Sequence, residues 1–255
     1  MTGVALLLTS FCTLLPHPDK LKTGGEDACF VSNANAALGV ADGVGGWADV
    51  PGANASKFSR DLMAFANESS TLLSALDILQ EAYNRIDKSI KGSTTATVAK
   101  LVGNTLDIAN VGDSGCSLWR DLEEVYHTKP TLHGFNFPYQ LGPEGQDTPS
   151  DGTQDSVEVQ DGDILVCASD GLWDNVYEDD IRRILKVHRN QNPTKYCRNV
   201  SDHLARTARK RGLDQTFDSP FAKEARKFGY RYMGGKLDDV TVVVGYFSGT
   251  KRYDL

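Results

Sequence analysis

Residues 93–114, STTATVAKLVGNTLDIANVGDS, alternate apolar and polar on either side of Gly103–Asn104. Two alternating runs around such a dipeptide make a β-hairpin. A hairpin forces its strands to be antiparallel neighbours, which excludes a purely parallel doubly wound sheet. The other strand text also comes in blocks. DACFVSN (27–33) and AALGVAD (36–42) flank a short Asn/Ala turn, and DSVEVQDGDILVCASDG (155–171) turns at Asp161–Gly162–Asp163. The valine-rich DDVTVVVGYF (238–247) closes the set. Between the blocks, Phe58, Leu62 and Phe65 mark a helix over 55–67. Leu72, Leu76, Leu79, Tyr83, Ile86 and Ile90 mark another over 71–90. Helical text fills 177–228, broken at Pro193, Gly212 and Pro220. Strand blocks separated by helix pairs specify an α+β fold with antiparallel sheets. No linker interrupts residues 1–255, so one domain is expected.

The opening MTGVALLLTSFCTLLPHP reads as an early strand. It lacks a basic start and a small-residue cleavage site before Pro16, and is too short to span a membrane. A net charge of −7 argues against nucleic acid as the main partner. The five cysteines show no C-x-x-C and no zinc spacing, so they are expected as buried reduced thiols in a reducing compartment.

Chemistry concentrates at aspartate-glycine corners on strand ends: Asp42–Gly43, Gly112–Asp113, Asp170–Gly171 with Asp174, and the Gly235–Asp239 segment. One such corner is an ordinary turn. Carboxylates converging from several strands repel one another unless a cation lies between them. An all-oxygen set without His or Cys selects Mg²⁺ or Mn²⁺. A calcium loop is excluded, because Asp161 and Asp163 are followed by Leu165 and Val166 where a ligand and a glycine are required. Gly43–Ala48 matches the dinucleotide fingerprint G-x-G-x-x-G/A, but Pro51–Gly52 delays the helix that must begin in the loop. Glycine beside Asp42 therefore marks a close backbone approach to something else.

The segments GGEDACF, GVADGVGGW, GSTTATVA, NVGDSG, ASDGLWDN and GGKLDDVTVVV occur in an order that resembles the metal-dependent protein Ser/Thr phosphatases of type 2C. The likeness runs from about residue 22 to 247. DGVGGW, FNFPYQLG and SPFAKEAR resemble a sub-branch with mitochondrial and plastid members. The resemblance implies a four-layer α-β-β-α sandwich with a binuclear metal site at one edge. It implies that Asp42 bridges two metals, that the Gly43 carbonyl ligates one, and that Asp170 and Asp238 are further ligands. It places Glu26 and Asp27 around metal-held waters, and Asp113, Asp170 and Asp174 at a third, weaker metal position. The implied activity is hydrolysis of phosphoserine and phosphothreonine by attack of a metal-bridging hydroxide. A catalytically weak binding module is the other reading. The expected partner is a phosphoprotein, met by a monomer without nucleic acid or membrane. The expected compartment is intracellular, cytoplasmic by default, with mitochondrion or plastid as alternatives if a presequence has been removed.

Two positions depart from the family pattern. Lys22 stands where an arginine grips phosphate, offering a point charge rather than a bidentate fork. Val44 stands where many members carry a histidine general acid, and valine cannot donate a proton. His17 and His133 could replace it by residue type alone. The basic run RTARKR (206–211) reads either as a docking patch for acidic substrates or as a solvated helix end.

Overall fold

The computed structural model describes residues 5–47, 50–143 and 147–249. The chain opens with β1 (Leu6–Leu15), β2 (Ala28–Ser32) and β3 (Ala37–Ala41). Helices α1 (Ala55–Glu68) and α2 (Ala75–Arg85) follow. Six strands come next: β4 (Ala96–Val102), β5 (Thr105–Val111), β6 (Gly115–Arg120), β7 (Glu123–His127), β8 (Leu132–Gly134) and β9 (Phe137–Pro138). The rest comprises β10 (Thr153–Glu158), β11 (Ile164–Ala168), α3 (Asp170–Trp173), α4 (Glu178–His188), α5 (Pro193–Gly212), α6 (Pro220–Lys227) and β12 (Val240–Gly249).

Two five-stranded antiparallel sheets form, in the orders β1-β12-β11-β6-β7 and β10-β5-β4-β3-β2. The period-two alternation of the strands divides their side chains between two layers. On β12, Val243 packs between the sheets with Leu38, Val40 and Leu165, while Val242 and Val244 face α4 and α5. Phe58, Leu62, Ile78 and Leu79 cover the outer face of the second sheet. Each fully buried side chain of this size contributes about 1.5–3 kcal/mol. The layers are therefore helices, sheet, sheet, helices, as expected.

Helix α2 is shorter than the apolar repeat over 71–90 implies. Ser74 caps it by accepting from the Asp77 amide at 3.0 Å, while Leu72 and Leu73 lie exposed in the preceding turn. At its end Ile86 is already extended. Helix α1 starts at Ala55, capped by Asn54. Only a short 3-10 turn at Gly45–Trp47 follows β3, so no helix N-terminus meets the glycine loop. Ala48, the last residue of the fingerprint match, lies outside the described residues.

Cys116, Cys167 and Cys197 are free and buried, but Cys12 and Cys29 are joined in a disulfide. The expectation of five reduced thiols is corrected here. Cys12 lies on β1 of one sheet and Cys29 on β2 of the other, and both border the layer between the sheets. That meeting depends on how the sheets stack, which local sequence does not encode.

The topology also fixes where the aspartates go. β3 and β5 both flank β4 antiparallel, so their C-terminal ends reach the same edge. In the first sheet Ala168 pairs Val242, and Leu15 pairs Val240. The end of β1, the end of β11 and the start of β12 therefore lie together.

Candidate metal centre

At that edge lies a cleft of about 530 Å³, lined by Asp42, Gly43, Asp113, Asp170 and Asp238. His17, Lys20, Val44 and Lys236 line it too. Glycine at 43 is a steric requirement: a Cβ there would lie 2.6 Å from the Glu26 carbonyl oxygen and 3.2 Å from that of Ala55. The Gly43 amide donates to the Glu26 carbonyl at 3.2 Å, while its own carbonyl accepts no hydrogen bond among the described residues. The tight approach thus leaves a backbone oxygen unspent beside Asp42.

The carboxylates fall into two groups. In the first, burial and the neighbouring charges of Asp27, Asp170 and Asp238 hold Asp42 well above the ordinary carboxylate range. Asp27 is buried and pushed up to about 8 by that burial and by Asp239; Ser169 donates to its Oδ2 at 2.8 Å, but Oδ1 has no partner. Burial and Asp170 raise Asp238 to about 6. In the second group the cation is internal. The Lys236 ammonium contacts Asp170 Oδ2 and lies 2.7 Å from Asp174 Oδ2. Burial works against the Asp170 carboxylate, yet the charge and hydrogen bond of Lys236 hold it below its usual range. Burial raises Asp113 and Asp174 to about 7 each, against the opposing pull of Lys236.

As they stand, no three His, Cys, Asp or Glu side chains among the described residues are placed to hold a metal ion together. The donor set nevertheless suits hard divalent ions. Asp170 spends Oδ2 on Lys236 and leaves Oδ1 buried without a partner. Asp42 is surrounded by like charges, and only oxygen donors are offered. Buried anionic oxygens without partners are costly unless a cation meets them.

The sequence reading missed the loop before the Glu–Asp pair. A 3-10 turn at Pro18–Lys20 curls this segment onto Asp239, whose carboxylate accepts from the backbone amides of His17 at 2.5 Å and Glu26 at 2.8 Å. Lys20 thereby enters the cleft, its ammonium 2.5 Å from Glu26 Oε2 and 3.6 Å from Asp239. Lys22 points to solvent and does not line the cleft. Glu26 lies behind Lys20 as its partner. The His17 ring accepts the Asp19 amide at Nδ1, which assigns its proton to Nε2. His133 is elsewhere, bonded to Asp147 at 2.9 Å and stacked on Tyr139.

The run RTARKR is split: Arg206 and Lys210 are exposed, as a solvated helix end requires, while Arg209 and Arg211 turn inward. Arg206 pairs Asp202 and Arg211 pairs Asp180. Arg209 reaches under the site to the carbonyls of Pro16 at 2.6 Å and Asp238 at 3.4 Å. Only the apposition of α5 with β1 and β12 brings those carbonyls near.

Residues 32–218 match the family model described as Stage II sporulation protein E (SpoIIE). The "Probable protein phosphatase 2C 80" of Arabidopsis thaliana is 40% identical over 96% of this chain and 60% of its own length. The "Probable protein phosphatase 2C 26" of the same plant is also 40% identical, over 90% of this chain and 80% of its own. The crystal structure of the photosystem II phosphatase PBCP superposes with a TM-score of 0.84 at 35% identity, covering 94% of this chain and 98% of that one. The catalytic domain of the serine threonine protein phosphatase PstP, solved with two manganese ions, shares the fold at a TM-score of 0.67 and 20% identity, over 95% and 99% of the two chains. The chain spans between half and two thirds of the first two curated relatives it matches. No helix among the described residues is long and apolar enough to cross a membrane. On these likenesses the chain belongs to the type 2C protein phosphatase family, whose members take Mg²⁺ or Mn²⁺.

Proposed function

We propose that this chain hydrolyses phosphoserine and phosphothreonine in proteins, using two divalent ions held by Asp42, Asp170, Asp238 and the Gly43 carbonyl. The observation that carries this reading is their meeting at one sheet edge, with Asp170 Oδ1 and Asp27 Oδ1 buried and unpartnered. When bound, the ions supply a water acidic enough to attack phosphorus at neutral pH. The chain's own groups do the rest. Lys20, in place of Lys22, presents the cleft's point charge to the phosphoryl oxygens, and Glu26 with Asp239 hold it in position. Asp27 orients what the ions hold, with Ser169 fixing one of its oxygens. Lys236 neutralises Asp170 and Asp174, which we assign as the charge that a third ion would otherwise bring beside Asp113. His17, and not His133, is the imidazole within reach of the leaving group.

This reading takes every residue from one chain and so needs no second copy, which we propose as action by a monomer. The 35% identity to a photosystem II phosphatase supports the plastid alternative over the cytoplasm. The test is hydrolysis of p-nitrophenyl phosphate and a phosphothreonine peptide, with Mn²⁺ and after chelation. Loss on chelation and return on adding Mn²⁺ supports the reading; full activity in the stripped protein overturns it.

A further inference from the structure

The small hairpin β8–β9 is not needed for the core. It belongs to neither large sheet, and none of its strand residues is buried. Its tip instead carries Phe135 and Asn136, the latter in the left-handed region at φ +53°. Phe135 meets aromatic rings from α6 and the segment after it, with ring centres 5.4 Å away at Phe221 and 5.1 Å at both Phe228 and Tyr230. Between hairpin and helix lies a second cavity of about 280 Å³, whose apolar walls include Leu132, Phe135, Trp173, Phe221 and Phe228. Phe228 is 57% exposed and Leu132 41%. Exposed apolar walls that are contiguous and rimmed by polar groups, here Asp113, Asp174 and Glu224, have the character of a ligand-binding groove.

The occupant follows from position and size. The groove shares Asp113, Asn136 and Asp170 with the metal cleft, so the two cavities adjoin across those three residues. Pockets for whole drug-sized ligands run from about 300 to 1,000 Å³, so this one suits one or two side chains rather than a folded partner. A peptide whose phosphoresidue enters the cleft passes this groove with its neighbouring residues, which advance about 3.3 Å each when extended. We infer that the groove between β8–β9 and α6 binds an apolar side chain of the substrate, leucine-like or aromatic, within about four residues of the phosphorylated one. This rests on the phosphatase reading and adds a substrate preference to it.

The test is a set of phosphothreonine peptides in which leucine or phenylalanine replaces serine at each position from four before to four after the phosphoresidue. An apolar pocket discriminates one such side chain by about 10- to 200-fold. At least a tenfold gain in kcat/KM is therefore expected at one position, carried by KM. Phe228→Ser should reduce that gain to about twofold or less, read as the ratio of kcat/KM on the apolar peptide to that on p-nitrophenyl phosphate. Leu132→Ser repeats the test from the opposite wall and settles the matter if Phe228→Ser does not fold. No positional preference above twofold, or a preference that survives the wall substitution, overturns the inference. Absence of metal-dependent hydrolysis of p-nitrophenyl phosphate would instead overturn the phosphatase reading itself.

Discussion

Two halves of the same cleft treat their carboxylates in opposite ways. Around Asp42, Asp27 and Asp238 burial and mutual repulsion favour protons; Lys20 is turned toward Glu26 and Asp239, and Lys236 offsets the rise of Asp238 only in part. Around Asp170 and Asp174 the ammonium of Lys236 is inserted between the acids. One half lacks its cation and the other has one built in. On the reading proposed above, exogenous metal belongs to the first half, and Asp170 serves both halves through its two oxygens.

The largest effect should come from the half without a cation. Asp42→Asn removes a charged donor from the side that depends on the ions, and lost metal stabilisation of several kcal/mol corresponds to about 10²–10³-fold or more in kcat. Asp174→Asn, in the other half, should cost less than about tenfold, because its partner is Lys236. Both are checked by kcat at saturating Mn²⁺ alongside a melting curve. Equal losses in two well-folded variants would dissolve the distinction between the halves.

Next comes the pair Lys20 and Lys22. Lys20→Ala should raise KM for a phosphate ester about tenfold, the scale of a lost charge-assisted contact of about 1.5 kcal/mol. Lys22→Ala, a change to an exposed side chain, should stay within about twofold. Steady-state kinetics on p-nitrophenyl phosphate decide it, and the reverse ranking would restore Lys22 to the site.

The fold was legible because its determinants are local. Alternation places Val242, Val243 and Val244 in successive layers, and Phe58, Leu62 and Phe65 mark α1. Asp42, Asp170 and Asp238 stood out because aspartate corners recur at several strand ends in the order the family resemblance implies, where a single corner would be an ordinary turn. What escaped depends on distant apposition. Lys20 enters the cleft only because a turn after β1 folds onto Asp239; His17 and Asp239 are 222 positions apart. Lys236 meets Asp170 and Asp174 across 66 and 62 positions. Cys12 and Cys29 meet across two sheets. Spacing along the chain carries no trace of these meetings.

A smaller effect sharpens the contrast through pH. The acids Asp238, Asp113, Asp174 and Asp27 are raised to about 6, 7, 7 and 8. Between the ordinary carboxylate value, about 4, and those values the folded state binds more protons than the unfolded one. Stability from these groups is thus complete below about pH 4 and is lost as pH rises through 6 to 8. Asp170, held low, acts in the opposite sense: its contribution is present above the ordinary value and is lost as pH falls through its own lowered value. The Tm of metal-free protein should therefore fall from pH 6 to 8, and saturating Mg²⁺ should reverse the trend by replacing the protons. A metal-free Tm that rises across this window would contradict the grouping.

The smallest expected effect concerns Val44, which sits on the half that awaits metal. Val44 lines the cleft and its amide donates to the Ser93 carbonyl at 2.9 Å. Val44 is half-buried and followed by the exposed Gly45 and Gly46, so its side of the cleft opens toward solvent. Valine contributes no proton, and a serine alkoxide leaves poorly without one, whereas nitrophenolate leaves readily. Full general acid catalysis is worth about 10²–10⁴-fold, but His17 already lines the same cleft, so a new imidazole should recover only part of that range. Val44→His is expected to raise kcat on a phosphoserine peptide severalfold near the imidazole pKa of about 6.5, and to leave p-nitrophenyl phosphate within about twofold. The readout is the ratio of the two kcat values as a function of pH. A variant that folds and binds Mn²⁺ yet shows no change in that ratio would mean that the proton already arrives by another route. His17→Gln, measured on the same two substrates, then tests whether that route is His17: a selective loss on phosphoserine assigns it, and parallel rates remove it.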